Sequence, residues 1–284
     1  MLFRSADTEA GELAGRIVAA CPDASVRNEA ALWLAKFQYN RRDWKAAGRL
    51  FSACADTAAD ESHAAESLMW AARAALADTD FARAIALSTR LAEKYPKSSE
   101  LPQALLVQGE ALIELSRFDE AVLVLDRAAV TESVSPEDRV RAQTLRADAL
   151  YAMGADNPAR YTAALEAYRA IRFGGTLSAD AQIVVSFKIA RALEKMKRMD
   201  EAIDQYYTQV VLAYRERRLR NEHLGDEART AFSRAAFRLA EEFESRGRDR
   251  QAISVLELVA QSDVPAAPEA LKRIERISRK GRFL

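Results

Sequence analysis

An enzyme needs a nucleophile beside a base, a cluster of metal ligands or a cradle for phosphate, and the residues that supply these are sparse in this chain. Histidine occurs twice, at His63 and His223, and neither has a second histidine or a cysteine three or four residues on. Both read as surface positions on helices. Cys21 and Cys54 each lie in an apolar stretch rather than in a Cys-x-x-Cys pattern. They read as free thiols packed as small hydrophobes. Gly174-Gly175 lacks the spacing and the following Lys-Ser/Thr of a nucleotide loop, so it reads as a helix stop. Acidic pairs such as Glu241-Glu242 arise by chance in a helical chain with 42 carboxylates. No catalytic residue, metal site or cofactor is expected.

Two basic runs remain: Arg215, Arg217, Arg218 and Arg220 around a single glutamate, and Lys272, Arg273, Arg276, Arg279, Lys280 and Arg282 against Glu275. Cations near helix C-termini are favoured by the macrodipole, by about 0.3–1 kcal/mol each. The other reading is a surface for RNA or an acidic partner. The aromatic residues that would stack on bases are missing from both runs, so nucleic acid is not an expected partner. Lys plus Arg and Asp plus Glu are both 42, so no net field steers the chain to a polyanion.

The elements that would position any site are helices. Gly and Pro number only 10 and 7 in 284 residues, too little punctuation for an all-β chain, while Ala, Leu and Arg are abundant. No run of eighteen apolar residues occurs, so no transmembrane segment is expected. Met1 to Ser5 has no signal-peptide core and is compatible with a chain that begins partway into a longer protein.

An internal repeat organises these helices. An aromatic residue or methionine followed three residues later by alanine recurs at Trp44/Ala47, Phe81/Ala84, Phe118/Ala121, Tyr161/Ala164 and Met199/Ala202, with spacings of 37, 37, 43 and 38. About nine residues before each mark is a small residue inside an amphipathic stretch: Ala35, Ala72, Gly109, Ala190 and, displaced by an insertion, Ala147. Small side chains at a crossing let two antiparallel helices approach while larger ones fill the flanking grooves. A sixth, degraded copy keeps Ala240, Gly247 and Ala252 but has Asp249 where the aromatic would stand. A long helix from about Asp200 to Glu222, followed by a turn at Gly225, would absorb its extra length. The insertion at Ala155-Asp156-Asn157-Pro158-Ala159-Arg160 reads either as a recognition loop or as a tolerated surface loop.

At these positions the chain resembles the tetratricopeptide repeat family, whose period is about 34 residues. The resemblance implies an all-α, right-handed α-α superhelix covering 1–284, with about fourteen helices. It comprises a half-repeat at 5–22, repeats at 26–57, 60–96, 98–130, 136–172, 178–222 and 224–264, and a capping helix at 266–280. It further implies that the first helix of each repeat lines a concave face. Residues three before and one after each small residue would point inward. The earlier row is Leu32, Met69, Leu106, Thr144, Phe187 and Phe237; the later is Lys36, Arg73, Glu110, Asp148, Arg191 and Glu241. Trp33, Trp70 and Tyr39 add aromatic surface. Leu32, Met69 and Leu106 are equally open to a second reading, as packing between helices.

The expected function is a non-catalytic scaffold or adaptor that binds a protein partner, peptide or helix, on this face through Leu32, Lys36, Met69, Arg73, Leu106, Glu110, Asp148, Phe187 and Arg191. The later row has no asparagine, so the carboxylate clamp of the chaperone-binding members is not expected. A regulatory or substrate-recruiting domain of a larger enzyme or sensor, and a self-assembling structural protein forming homo-oligomers, are the alternatives. The Tyr95-Pro96-Lys97-Ser98 link followed by Leu101-Pro102-Gln103-Ala104 resembles repeats of bacterial envelope proteins, such as Tol-Pal coordinators and outer-membrane assembly lipoproteins. That resemblance implies a periplasmic rather than a cytoplasmic location.

Overall fold

The computed structural model describes residues 2–175 and 177–280, and side chains for 9–175 and 177–279. Its helices are α1 (Leu2–Ala20), α2 (Ala24–Asn40), α3 (Trp44–Thr57), α4 (Glu61–Ala77), α5 (Phe81–Lys94), α6 (Leu101–Glu114), α7 (Phe118–Val130) and α8 (Pro136–Met153). They continue as α9 (Ala159–Gly174), α10 (Ala179–Lys195), α11 (Met199–Asp204), α12 (Ala213–Leu219), α13 (Asp226–Ser245), α14 (Asp249–Ala260) and α15 (Ala267–Lys280). Among the described residues there is no strand. The fold is all-α and of the repeat type that the marks imply.

Each mark starts a helix. Trp44, Phe81, Phe118 and Met199 are the first residues of α3, α5, α7 and α11, and Tyr161 is the third of α9. The alanines three residues on, Ala47, Ala84, Ala121, Ala164 and Ala202, have no exposed surface, and Ala252 holds the same place in the degraded copy. The aromatic has a specific job in two copies: Trp44 meets Tyr39 edge-on at 4.7 Å, and Tyr161 meets Tyr151 at 5.3 Å. Both contacts clip the second helix onto the end of the first. The small residues lie at the opposing contact. Ala35, Ala72, Ala147, Ala190 and Ala240 are fully buried, and a Cβ at Gly109 would stand 2.5 Å from Leu125 Cδ2 on α7.

Packing divides the chain into two compact units, Met1–Ala149 and Leu150–Leu284, so the division falls inside α8, whereas the sequence reads as one array. In the first unit, helices pack in chain order from α1 to α7, and α4 also touches α6. Its core is built from Phe51, Leu68, Leu91, Leu105 and Leu125 among many alanines. In the second, α9 packs on α10, α10 on α11 and α13, and α13 on α14, which carries α15. Tyr214 stacks on Phe232 at 4.2 Å in its core.

The long helix runs over 199–219 without a break, but its middle, Gln205–Leu212, is π-helical between α11 and α12. The wider turn buries Tyr206, Val210 and Val211 on one side. No sequence feature considered above signalled this change of period. Gly225 then stands as the N-cap of α13 with extended backbone, its N–H donating to Asp180 at 2.6 Å. In the inserted loop Pro158 directly precedes α9, and Asn157 accepts a hydrogen bond from the Ala159 N–H.

The hairpin turns share one closure that the sequence conceals. Two residues before α3, α5, α7, α11 and α14, the backbone turns left-handed at Arg42, Thr79, Ser116, Lys197 and Gly247. After each, the next N–H reaches back five residues: Asp43 to Gln38, Asp80 to Ala75, Arg117 to Leu112, Arg198 to Leu193 and Arg248 to Phe243. This is the Schellman closure, which glycine suits best, yet only the last copy has one. The left-handed conformation costs a residue with a β-carbon about 1–2 kcal/mol, and more readily so in a β-branched one; glycine's greater chain entropy returns about half of that. Thr79→Gly should therefore stabilise the protein by about 1 kcal/mol in chemical denaturation. A loss of stability would mean that the Thr79 side chain does something the backbone geometry does not reveal.

Candidate functional site

In the first unit, the first helices α2, α4, α6 and α8 stand side by side and their facing residues form a groove. It has a volume of about 390 Å³ and is lined by Tyr39, Arg73, Leu76, Ala77, Gln103, Leu106, Val107, Glu110 and Arg141. A second hollow of about 470 Å³ shares Leu76 and Glu110 with it and adds Thr79, Phe81, Ile113, Glu114 and Leu145. The first is edged by charge and amide groups; the second has apolar walls. Together they could hold a chain segment with polar and apolar side chains in turn.

The inward charged row is used to join repeats. Lys36 reaches Glu66 at 3.6 Å, Arg73 donates to the Gln103 amide oxygen at 2.7 Å, and Arg141 donates to Glu110 at 2.5 Å. Each rung runs from the residue after the small one in one repeat to the residue six before it in the next. The Lys36–Glu66 rung is half in solvent, where such a pair contributes little. Glu110 is better covered, and Arg73 also lies over the Trp70 ring at 5.2 Å. The signal was present in the sequence as complementary side chains 30 or 31 residues apart, but it shows only when two repeats are read together.

For the inward apolar row, open to reading as anchors or as packing, burial supports packing. Met69 and Leu106 are 3% and 2% exposed, members of the core rather than anchors offered to a partner. Met69 lies on α4 and Leu106 on α6, two helices that touch, and the position three before the small residue is buried in both. Leu32 is half-buried and packs against the same core. Of the nine expected contact residues, the groove brings together Arg73, Leu106 and Glu110, with Lys36 on the adjoining rung. Tyr39, Leu76, Gln103 and Arg141 were not among the nine. Thr144 turns its hydroxyl back to the Val140 carbonyl, and Asp148 is half-buried and engaged within the chain.

In the second unit the corresponding face is filled by its own side chains. Arg191 lies over the Tyr151 ring at 4.9 Å, and Phe187 packs on Tyr206 at 5.7 Å. The Tyr206 hydroxyl donates to Glu194 at 3.1 Å; burial first, and then that carboxylate, push its pKa up. Arg238 bonds to Glu194 at 2.8 Å and reaches Glu241 and Glu242, while Arg273 lies over Phe237 and pairs with Glu244 at 2.6 Å. Arg273 of the capping helix α15 thus reaches both members of the inward pair, Phe237 and the exposed Glu241.

The other chemistry-bearing residues are used structurally. His63 is exposed, its ring 2.7 Å from the N-cap Asp60, whose pKa is lowered chiefly by the His63 backbone N–H. Cys54 is buried and burial raises its thiol pKa, whereas Cys21 is half-buried. Gly174 ends α9 and Gly175 follows in extended backbone. Arg217 and Arg220 pair with Glu222 and Glu216, and Arg276 and Arg279 with Glu244 and Glu275. Arg282 lies outside the described residues. Among the described residues no His, Cys, Asp and Glu side chains group as metal ligands, and no helix is long and apolar enough to cross a membrane.

Comparison with known proteins bears on the fold. A family model described as tetratricopeptide repeat matches residues 66–98 and 185–216, one stretch in each unit. No curated protein sequence matches the chain. Among solved structures, a Rap protein complexed with competence and sporulation factor is similar over 95% of this chain and 79% of that one, with 14% identity and a TM-score of 0.52. The apo form of RapI is similar over 90% and 99%, with 11% identity and a TM-score of 0.52. At these identities the likeness is one of fold.

A carboxyl coupled to Arg73 opposes folding. The pKa of Glu100, at the start of α6, is raised from its ordinary 4.5, first by burial and then by the nearby Glu66, with Arg73 acting in the other direction. A carboxyl raised in the folded state favours folding while protonated, below its ordinary value, and loses that contribution as pH rises through the folded value. Glu100→Gln should therefore raise the melting temperature at neutral pH and leave it nearly unchanged in acid below pH 4.5. Equal melting of variant and parent at neutral pH would contradict this assignment.

Proposed function

Because the chain is built of tetratricopeptide repeats, we propose that it is a non-catalytic adaptor holding a segment of a partner protein along the first-helix face of its N-terminal unit. The observation that supports this is the pair of continuous hollows between α2, α4, α6 and α8, where the corresponding residues of the second unit are engaged with one another. Arg73 and Arg141 edge the polar hollow with Glu110 between them, and Leu76, Phe81, Ile113 and Leu145 wall the apolar one. A bound segment would place a polar or acidic side chain beside Arg73 and Gln103. Its next apolar side chain would lie against Leu76 and Ile113. Affinity on such a surface comes from a few partly exposed apolar groups, with the charges setting direction and association rate.

Leu76 and Ile113 take the anchoring role that sequence alone assigned to Met69 and Leu106, since both are only partly buried. The periplasmic location, and roles as a recruiting domain of a larger protein or as a self-assembling protein, find no particular residue to support them. Peptides selected on the protein from a random library should lose roughly tenfold or more in affinity with Leu76→Asp or Arg73→Glu, a loss of about 1.4 kcal/mol or more. Leu123→Ser, at a 71% exposed position on α7, should change affinity little. Peptides indifferent to both groove variants and sensitive to Leu123→Ser would move the site to the other face.

A further inference from the structure

The rungs between first helices differ in charge. Lys36 meets Glu66 and Arg141 meets Glu110, each a cation with an anion. Between these two, Arg73 meets only the neutral amide of Gln103 and the face of Trp70, and among the described residues it makes no ion pair. Arg73 lines the polar hollow and is half-buried, so one positive charge stands at the edge of the groove with no carboxylate bound to it. A guanidinium carries its donors in a planar fork, and a single amide oxygen leaves most of them unused. A carboxylate matches that fork with two parallel hydrogen bonds.

One carboxyl of the chain stands near Arg73 without binding it. Glu100, the N-cap of α6, lies one turn before Gln103, just as Glu66 lies two turns before Arg73 on α4. Glu100 is half-buried, makes no side-chain capping bond, and among the described residues its carboxyl has neither a hydrogen bond nor an ion pair. Burial and then Glu66 disfavour its charged form, and Arg73 favours it. Lys36 of α2 is drawn to Glu66 instead. The other helices packed on α6 direct their charges elsewhere: on α5, Arg83 and Arg90 reach Ser52 and Asp56 of α3, and on α7, Arg117 pairs with Glu120 and Asp126 with Arg146 of α8. Among the described residues Arg73 is thus the one cation that acts on Glu100.

We propose that Arg73 is the seat for one acidic side chain of the bound segment and that Glu100 competes with it, so that binding takes up a proton at Glu100. This rests on the groove reading above and adds to it the charge of the partner and a dependence on pH. A partner carboxylate on Arg73 removes the field that keeps Glu100 charged and brings a second negative charge close to it. The bound state therefore holds a proton on Glu100 more firmly than the free state does. Protonation then favours binding: the extra affinity is full below the free-state value and is lost as pH rises through the bound-state value. The partner's own carboxylate, with an ordinary value of about 4, stays charged over that range.

The test starts from peptides with amidated C-termini, selected from a random library on the full chain, so that side chains are their only carboxylates. A fluorescent copy of one whose binding is lost with Leu76→Asp is then titrated by anisotropy. It should contain an acidic residue whose change to the amide weakens binding roughly tenfold to the parent and little to Arg73→Gln, as a coupled pair requires. Its affinity for the parent should fall several-fold between about pH 5 and about pH 8. Glu100→Gln should flatten that profile and hold the affinity near the parent's acid value throughout. If no selected peptide responds to Leu76→Asp, the groove reading fails and this proposal falls with it. If peptides respond to Leu76→Asp but need no acidic residue, or if their pH profile is the same in Glu100→Gln as in the parent, the groove stands and this proposal alone is overturned.

Discussion

Within each unit the fold depends on one repeated close approach between the first and second helix of a hairpin. The small residues Ala35, Ala72, Gly109, Ala190 and Ala240 are buried where these helices pack. At Gly109 the space is filled by the Leu125 side chain, which occupies the volume that any β-carbon would need. Because the helices meet there, the alanine three residues into the second helix is buried, and the aromatic at its start can reach back to Tyr39 or Tyr151. Packing fraction in such interiors is high, so the repeat tolerates variation in its loops far better than at these crossings.

Once the hairpins are formed, the side chains facing their neighbours decide what each unit can do. In the first unit the charged residues go into rungs between successive repeats, and the space left between the rungs is the groove. In the second unit Arg238 and Arg273 lie across the same face and tie α10, α13 and α15 together. Similar repeats therefore give an open face in one case and a filled one in the other.

Much of the fold was legible in the sequence because the marks are short-range and periodic. The first residues of α3, α5, α7 and α11, the buried alanines and the crossings all follow from residues within one hairpin. The Schellman closures at Arg42, Thr79, Ser116 and Lys197 were hidden because none has the glycine that usually announces a left-handed turn. The π-helical stretch at Gln205–Leu212 was hidden because its apolar residues suit an α-helix equally well. For the site, Arg73 and Glu110 were legible from helix register alone. Met69 and Leu106 were open to two readings, anchor or packing, and their burial, which depends on how neighbouring repeats come together and which no single repeat encodes, supports the packing one. Gln103 and Arg141 were missed for the same reason.

The tetratricopeptide-type hairpins and the groove between them are what support recognition by surface, and recognition by surface depends on the spacing of the hairpins. Chemical denaturation of Gly109→Leu, beside Ala72→Leu, measures that spacing directly. Overpacking a crossing should lower the unfolding free energy by about 1–3 kcal/mol in each variant without changing helical content at low denaturant. If both variants unfold at the same midpoint as the parent, the helices do not meet at these residues, and the register from which the groove and the rungs were read is wrong.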